Sequence, residues 1–219
     1  MMQYPPDSEI EIILPDKEII SFEDYRTYID SALEMIRSFS IKHGWESYTK
    51  DAFINKLMVY DDKKEFDQQL LKLVEADPGI ELPETYCAAL ENKILVIVTP
   101  EIYSRVFPEG IEENSYVKLI THEIAHRLHI RIIEGLEDHM GPIWFYEGFA
   151  IYVADQFSNS ELQLSRDQII EIMNYPGRGN YQNYGHIFRL FAEKMPLLEL
   201  IMMAKEEHFN ERLIPLVGE

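Results

Sequence analysis

The spacing of apolar positions predicts two amphipathic helices in the first half of the chain. Apolar residues recur at helical intervals across residues 22–39, between Ser21 and Gly44, and Asp24 stands three residues after Ser21 as in a capping box. The same periodicity covers residues 64–75. We therefore expect a helix over each segment, the first beginning after Ser21 and ending at Gly44.

Shorter apolar runs predict strands, and the pattern becomes wholly helical after them. The predicted strands are residues 9–14, 53–60, 86–90 and 94–98. The last two flank Glu91-Asn92-Lys93, a spacing typical of a hairpin, here with a buried second strand. From residue 115 the pattern is helical nearly to the end. This order, strands mixed with helices and then helices, indicates an α+β fold.

The length and the single cysteine limit the class of protein. A chain of 219 residues suits one domain, or one domain with a small N-terminal addition. Cys87 alone excludes an intramolecular disulfide and a cysteine-rich zinc module, and it fits a reducing compartment. The first residues lack the basic and apolar regions of a secretory signal, and no apolar run approaches the length of a membrane span. We predict a cytoplasmic protein.

The net charge of −19 restricts the partners that we expect. Nucleic acids and anionic membranes are bound by basic patches, so neither is an expected partner. A charge of this sign can steer basic peptides toward a site, or it can simply keep the surface solvated. The sequence leaves the oligomeric state open.

The helical pattern over residues 115–134 contains the run His-Glu-Ile-Ala-His. Two histidines four apart on a helix lie one turn apart on nearly the same face, so His122 and His126 can reach one metal ion. Glu123 points toward the same mouth and can take a proton from a water held there. The motif predicts a zinc site that needs a third protein ligand.

Glu147 is the predicted third ligand. It lies among strongly apolar neighbours on a segment where Pro142 suits the first turn of a helix. A buried carboxylate needs a cation, and two imidazoles, one carboxylate and an open position make a catalytic zinc site. Gly148 removes a side chain beside Glu147, which would let two helices approach closely. The alternative is that Glu147 pairs with an arginine, such as Arg127 or Arg131.

The complete pattern resembles a known family. It is His122-Glu123-x-x-His126 followed by Trp144-x-x-Glu147-Gly148-x-Ala150-x-Tyr152. This pattern resembles the gluzincins, the zinc metallopeptidases of the thermolysin-like superfamily, and most of all their small single-domain members and the catalytic domain of zinc aminopeptidases. The resemblance covers roughly residues 115–195. The chain departs from it at Tyr146, where the family usually has Asn or Ser, and it lacks the Gly-x-Met-x-Asn exopeptidase signature.

The resemblance implies a metal set, a base and an activity. His122, His126 and Glu147 match the ligands of Zn²⁺, and Glu123 matches the general base. The implied activity is hydrolysis of peptide bonds in a peptide or protein substrate. The alternative is a zinc-binding peptide-recognition or regulatory protein with little turnover, and endopeptidase and exopeptidase action both stay open.

The resemblance also implies a thermolysin-like domain, with a small twisted mixed sheet packed on the active-site helix and a helical subdomain after it. We expect an N-terminal extension and helix at residues 1–50, and a catalytic domain at 51–219 with subdomains at 51–114 and 115–219. Residues 1–20, acidic and proline-containing, are a candidate pro-segment over the cleft.

The family often supplies a tyrosine hydroxyl from a later helix to stabilise the oxyanion. Tyr181, four residues before Gly185, is the first choice for this role, and Tyr184 is the second. A merely structural role is open for both, and His186 is an alternative donor.

Other polar residues carry weaker expectations. His129 lies too far along the axis from His122 to share one ion, so it is predicted to support a ligand or simply to be polar. The remaining expectations are a competing ligand at His139, a partner for a ligand imidazole at Asp138 or Asp155, and a contact with a substrate carbonyl or carboxylate at Arg178. An ordinary loop arginine is the alternative for the last.

Overall fold

The chain has a mixed α+β architecture in its computed structural model, which describes residues 10–16 and 19–218. It forms two compact units, Met1–Ile124 and Ala125–Glu219. The helix that carries the His-Glu-Ile-Ala-His run continues from the first unit into the second. Within the described ranges, every helix is too short or too polar to cross a membrane.

The first unit contains the sheet. Its strands are β1 (Glu11–Ile13), β2 (Lys56–Tyr60), β3 (Ala88–Glu91) and β4 (Ile94–Val98). Its helices are α1 (Phe22–His43), α2 (Lys63–Leu73), α3 (Pro100–Val106) and the first part of α4 (Ser115–Ile132), with short 3-10 turns at Glu46–Thr49 and Pro108–Gly110.

The sheet is mixed, with strand order β1-β2-β4-β3. Strands β1, β2 and β4 are parallel, and β3 pairs antiparallel with β4 through the hairpin. The hairpin turn places both Asn92 and Lys93 at positive φ, the conformation that a two-residue turn needs to match the strand twist. The predicted strand at 94–98 and the hairpin are confirmed, while the other three strands are shorter than predicted, and Glu9 lies outside the described residues.

The core of the first unit lies between the sheet and its helices. Strand β4 is buried at four successive positions, from Leu95 to Val98, as expected of a strand with both faces covered. The Tyr116 hydroxyl donates to the Val98 carbonyl at 2.7 Å, which ties the first turn of α4 to the end of β4. This bond fixes the start of the helix that carries the histidines.

The predicted ends of α1 are confirmed. Ser21 accepts a hydrogen bond from the Asp24 amide, and the Asp24 carboxylate accepts one from the Ser21 amide, completing a capping box. Gly44 ends the helix with a φ of 71°, a left-handed conformation that favours glycine. Helix α2 begins one residue earlier than predicted, because Asp62 caps it by accepting hydrogen bonds from two backbone amides.

Among its described residues, the regular elements of the second unit are all helices, as the sequence pattern predicts. Its helices are the end of α4, α5 (Ile143–Val153), α6 (Arg166–Asn174), α7 (Tyr181–Ala192), α8 (Leu197–Met203) and α9 (Phe209–Leu213), with 3-10 turns at Glu137–His139 and Ile214–Leu216. Pro142 is the N-cap of α5, one position before the first turn where it was expected. Trp144 of α5 stacks on Phe209 and donates its indole N–H to Asn210.

The boundaries that the resemblance implies stay predictions. Strand β1, from the expected N-terminal extension, pairs with β2 and is part of the same sheet as the rest of the first unit. Most of the candidate pro-segment, residues 1–9 and 17–18, lies outside the described residues. Its covering of a cleft is therefore also a prediction.

Candidate metal centre

Helix α4 presents the two histidines of the motif one turn apart. His122 is buried with 7% of its surface exposed, and His126 is partly buried. The run from Ser115 to Ile132 is uninterrupted α-helix, so the four-residue spacing places both imidazoles on one face. This arrangement matches the one that the spacing predicts.

Helix α5 supplies a carboxylate to the same face. Glu147 is 1% exposed, and its Oε2 lies 3.6 Å from Nε2 of His126. One ligand atom from each of His122, His126 and Glu147 lies within 4.8 Å of the other two. Among the described residues, this is the group of three metal-ligating side chains that the structure brings together.

The donor set fits a zinc ion. Bonds of about 2.0–2.2 Å at tetrahedral angles place neighbouring ligand atoms about 3.4 Å apart. The 3.6 Å between His126 and Glu147 is already close to this separation, and the 4.8 Å limit on the trio requires only a small contraction. Two imidazole nitrogens and one carboxylate oxygen also leave a fourth position of the tetrahedron for water or substrate.

The second oxygen of Glu147 is held by an arginine that the sequence did not pair with it. Arg178 Nη1 lies 2.5 Å from Glu147 Oε1, and Arg178 Nη2 donates to the Tyr146 hydroxyl at 2.8 Å. Arg127, one of the two arginines considered as partners, pairs instead with Glu137 at 3.0 Å. The alternative in which Glu147 meets an arginine is thus realised, but by an arginine of a loop thirty-one residues away, which contacts Oε1.

Glu123 follows His122 on α4 and is partly exposed. Its charge adds to the effect of burial on Cys87, whose thiol pKa is raised to about 12, chiefly by burial. Cys87 is therefore a neutral thiol in the core. The role of Glu123 as a base stays a prediction.

No family model, curated protein or solved structure matches this chain. The resemblance to the gluzincins therefore depends on the motif residues themselves.

The two candidate tyrosines lie on the first turn of α7 in different surroundings. Tyr184 is fully buried, burial raises its pKa, and its hydroxyl donates to the Gly177 carbonyl at 2.8 Å. Tyr181 is partly exposed and packs edge-on against the Tyr184 ring. The choice of Tyr181 over Tyr184 as the oxyanion donor stays a prediction.

His129 is buried beside the site without taking part in it. It is 0% exposed, its ring packs on Phe145 and Phe149, and neither nitrogen has a hydrogen-bond partner within the part of the chain that the structure describes. Burial first, and then His126, lower its pKa to about 3. Without a hydrogen bond His129 does not orient a metal ligand. Its ring instead packs as a core side chain against the two phenylalanines.

The other polar residues singled out in the sequence have the following surroundings. Asp155 is exposed and accepts a hydrogen bond from the Ser158 hydroxyl at 3.3 Å. Asp138 and His139 form part of a 3-10 turn, and His139 is outside the group of ligating side chains. His186 is partly buried, and this burial lowers its pKa.

Proposed function

We propose that this protein is a zinc metallopeptidase of the gluzincin type. The observation that carries the proposal is the approach of two imidazoles and one buried carboxylate, whose ligand atoms lie within 4.8 Å of one another. Three protein ligands with nitrogen and oxygen donors are typical of a catalytic zinc, whereas a structural zinc has four. A thermolysin-like fold agrees with a small mixed sheet before the motif helix and helices after it.

The reaction is hydrolysis of a peptide bond in a peptide or protein substrate. Zinc, when bound, lowers the pKa of its water toward neutrality and polarises the scissile carbonyl. Glu123 takes the proton of the attacking water and later delivers it to the leaving amine. Tyr181, or Tyr184 in its place, donates a hydrogen bond to the oxyanion that develops on the carbonyl oxygen.

The test compares zinc content and peptide cleavage in two matched variants. Glu123→Gln keeps the three ligands, so it should hold zinc as the wild type does while cleavage of a broad peptide library falls by about 10²- to 10⁴-fold. Glu171→Gln, at an exposed position on α6, is the control that should leave both unchanged. Equal turnover by wild type and Glu123→Gln would refute the mechanism.

The same experiment separates the peptidase from a binding protein. A wild-type chain that holds one zinc but cleaves no peptide in the library would favour peptide recognition or regulation. Glu147→Gln, which removes the charged ligand, should lose zinc in either case. Retention of zinc at wild-type affinity by that variant would exclude the proposed metal centre itself.

A further inference from the structure

The loop between α6 and α7 brings a guanidinium onto the carboxylate of Glu147. Arg178 uses two different nitrogens, one for Glu147 Oε1 at 2.5 Å and one for the Tyr146 hydroxyl at 2.8 Å. The guanidinium carbon also lies 5.5 Å from the centre of the Tyr146 ring. A planar fork of donors can make both hydrogen bonds at once, which a lysine ammonium cannot do with the same geometry.

A hydrogen bond from helix α7 holds the loop that carries Arg178. The Gly177 carbonyl accepts a hydrogen bond from the buried Tyr184 hydroxyl at 2.8 Å. The Tyr175 ring packs over residue 177, where a Cβ would lie 2.5 Å from it. Arg178 is 41% exposed, but the carbonyl of the residue before it is held by the bond from Tyr184. The guanidinium is therefore directed at Glu147 by the structure of the loop.

The two oxygens of Glu147 consequently have different surroundings. Oε1 accepts from Arg178, while Oε2 lies 3.6 Å from His126 Nε2, on the side of the ligand trio. We propose that Arg178 is a positioning residue that holds Oε1 and so leaves Oε2 alone to bind the metal. This inference rests on the proposed function, because it assigns a task within that metal centre.

Two physical effects of Arg178 on a bound cation oppose each other. The guanidinium charge repels a divalent ion, and this repulsion is weakened by solvent because Arg178 is partly exposed. Its hydrogen bond orients a buried carboxylate that would otherwise rotate or bind through both oxygens, and loss of such a partner typically reduces metal affinity 10- to 100-fold, as an order of magnitude. We propose that the positioning effect is the larger one, so removal of the guanidinium is expected to lower the affinity for zinc.

The experiment measures zinc affinity by competition with a chromophoric chelator, using the full chain. Arg178→Gln should bind zinc about 10- to 100-fold more weakly than wild type. Arg178→Lys should recover part of this loss, since an ammonium can still donate to Oε1. Arg212→Gln, which removes another guanidinium paired with a carboxylate in the same unit, is the matched control and should bind as wild type does.

A second readout reports the coordination of the metal directly. In the cobalt-substituted protein, the visible absorption of a four-coordinate ion is much stronger than that of a five-coordinate one. Arg178→Gln should weaken this absorption, because Glu147 can then bind through both oxygens. Arg212→Gln should keep the wild-type spectrum.

Tyr146 provides a further test through the hydrogen bond that it shares with Arg178. Tyr146→Phe removes only the hydroxyl, so it should weaken zinc binding less than Arg178→Gln and in the same direction. The double variant should be no weaker than Arg178→Gln alone, because the hydroxyl acts through the guanidinium. Additive losses would show that the two residues act separately and would overturn the arrangement.

The outcomes distinguish this inference from the proposed function. If Glu147→Gln loses zinc while Arg178→Gln binds it as tightly as wild type or more tightly, the result supports the metal centre and refutes the positioning role of Arg178. An unchanged cobalt spectrum in Arg178→Gln, or an equal loss in Arg212→Gln, would overturn the role as well. If wild type itself binds neither metal, both the proposed function and this inference are wrong.

Discussion

At the scale of single residues, the deciding feature is a carboxylate where an apolar side chain would be the ordinary choice. Glu147 is 1% exposed on a helix of mainly apolar residues, and burial of an uncompensated carboxylate is expensive. Its two oxygens face an arginine and a histidine, so the carboxylate is compensated on one side and directed toward two imidazoles on the other. The chemistry of the candidate site follows from this one position.

His129 supplies a prediction on stability. A buried imidazole whose nitrogens lack partners costs about 1–3 kcal/mol, so His129→Leu should raise the free energy of unfolding at pH 7 by about 1 kcal/mol. Urea unfolding of the metal-free proteins measures this difference. His208→Leu, at an exposed position, is the control. A variant that is less stable than wild type would show that His129 has a favourable role in the core.

The difference in stability between His129→Leu and wild type should also depend on pH. Burial lowers the folded pKa of His129 to about 3, whereas the unfolded value is 6.5. As the pH falls from 6.5 toward 3, the unfolded chain takes up a proton that the folded protein does not, and unfolding is favoured by at most about 1.4 kcal/mol per pH unit. His129→Leu escapes this loss, so its advantage over wild type should grow across that window and stay constant above it. Parallel stability curves would contradict the depressed pKa.

The tyrosines can be separated by removing each hydroxyl. Tyr181→Phe should lower kcat by about 10²-fold with zinc affinity unchanged, because an oxyanion donor acts only in the transition state. Tyr184→Phe should instead lower the free energy of unfolding by about 1 kcal/mol, through loss of its bond to Gly177. Steady-state kinetics and urea unfolding of both variants give the answer. The reverse pattern would transfer the oxyanion role to Tyr184.

At the scale of elements, the ligand glutamate is positioned by the close approach of α5 and α7. A Cβ on Gly148 of α5 would lie 2.8 Å from both the Phe188 Cβ and the Tyr184 carbonyl oxygen of α7. On α7, a Cβ on Gly185 would lie 2.5 Å from the Ile151 side chain of α5. Each helix therefore offers a glycine to the other, and the prediction that Gly148 permits two helices to approach is confirmed.

Gly148→Ala should destabilise the protein by about 1–3 kcal/mol, because the backbone and Cβ atoms that it meets cannot rotate away. The displaced helix should also bind zinc more weakly, since Glu147 is the adjacent residue. Thermal unfolding and the zinc competition assay test the two effects. Gly218→Ala, where a Cβ meets nothing within 4 Å, is the control. Unchanged stability in Gly148→Ala would mean that the helices separate without cost.

At the scale of the whole molecule, metal binding and folding are linked. The ligands come from α4 and α5, which are separated in the chain by the turn at Glu137–His139, so an unfolded chain does not hold them together. A metal ion that binds only the folded state stabilises that state by mass action. Stability is therefore expected to depend on zinc.

Zinc at 1,000 times its Kd should stabilise the wild type by about 4 kcal/mol, seen as a higher Tm. His122→Ala should abolish most of this increase, because it removes one of three ligands. A chelator should return the wild type to its metal-free Tm, which shows that the effect is reversible. A Tm that does not respond to zinc in wild type would contradict a site preformed in the folded protein.

Local patterns in the chain determined most of the elements. Helix α1 with its capping box and Gly44, the strand at Ile94–Val98, and the helical second half all follow from periodicity and end signals, which act between residues close in sequence. The pair of histidines follows from the same kind of reasoning, since one helical turn fixes their relation. The net charge of −19 likewise follows from composition.

Tertiary structure decided which distant residues meet. The sheet order β1-β2-β4-β3 and the approach of Glu147 to His126 depend on packing between elements. Local periodicity predicts the elements themselves and not how they pack. The sequence offered Arg127 and Arg131 as cationic partners of Glu147, and it did not name Arg178, which the loop anchored by Tyr184 brings to Glu147. A loop arginine between two glycines has no pattern that names its partner, because that partner is set by where the folded backbone places the loop.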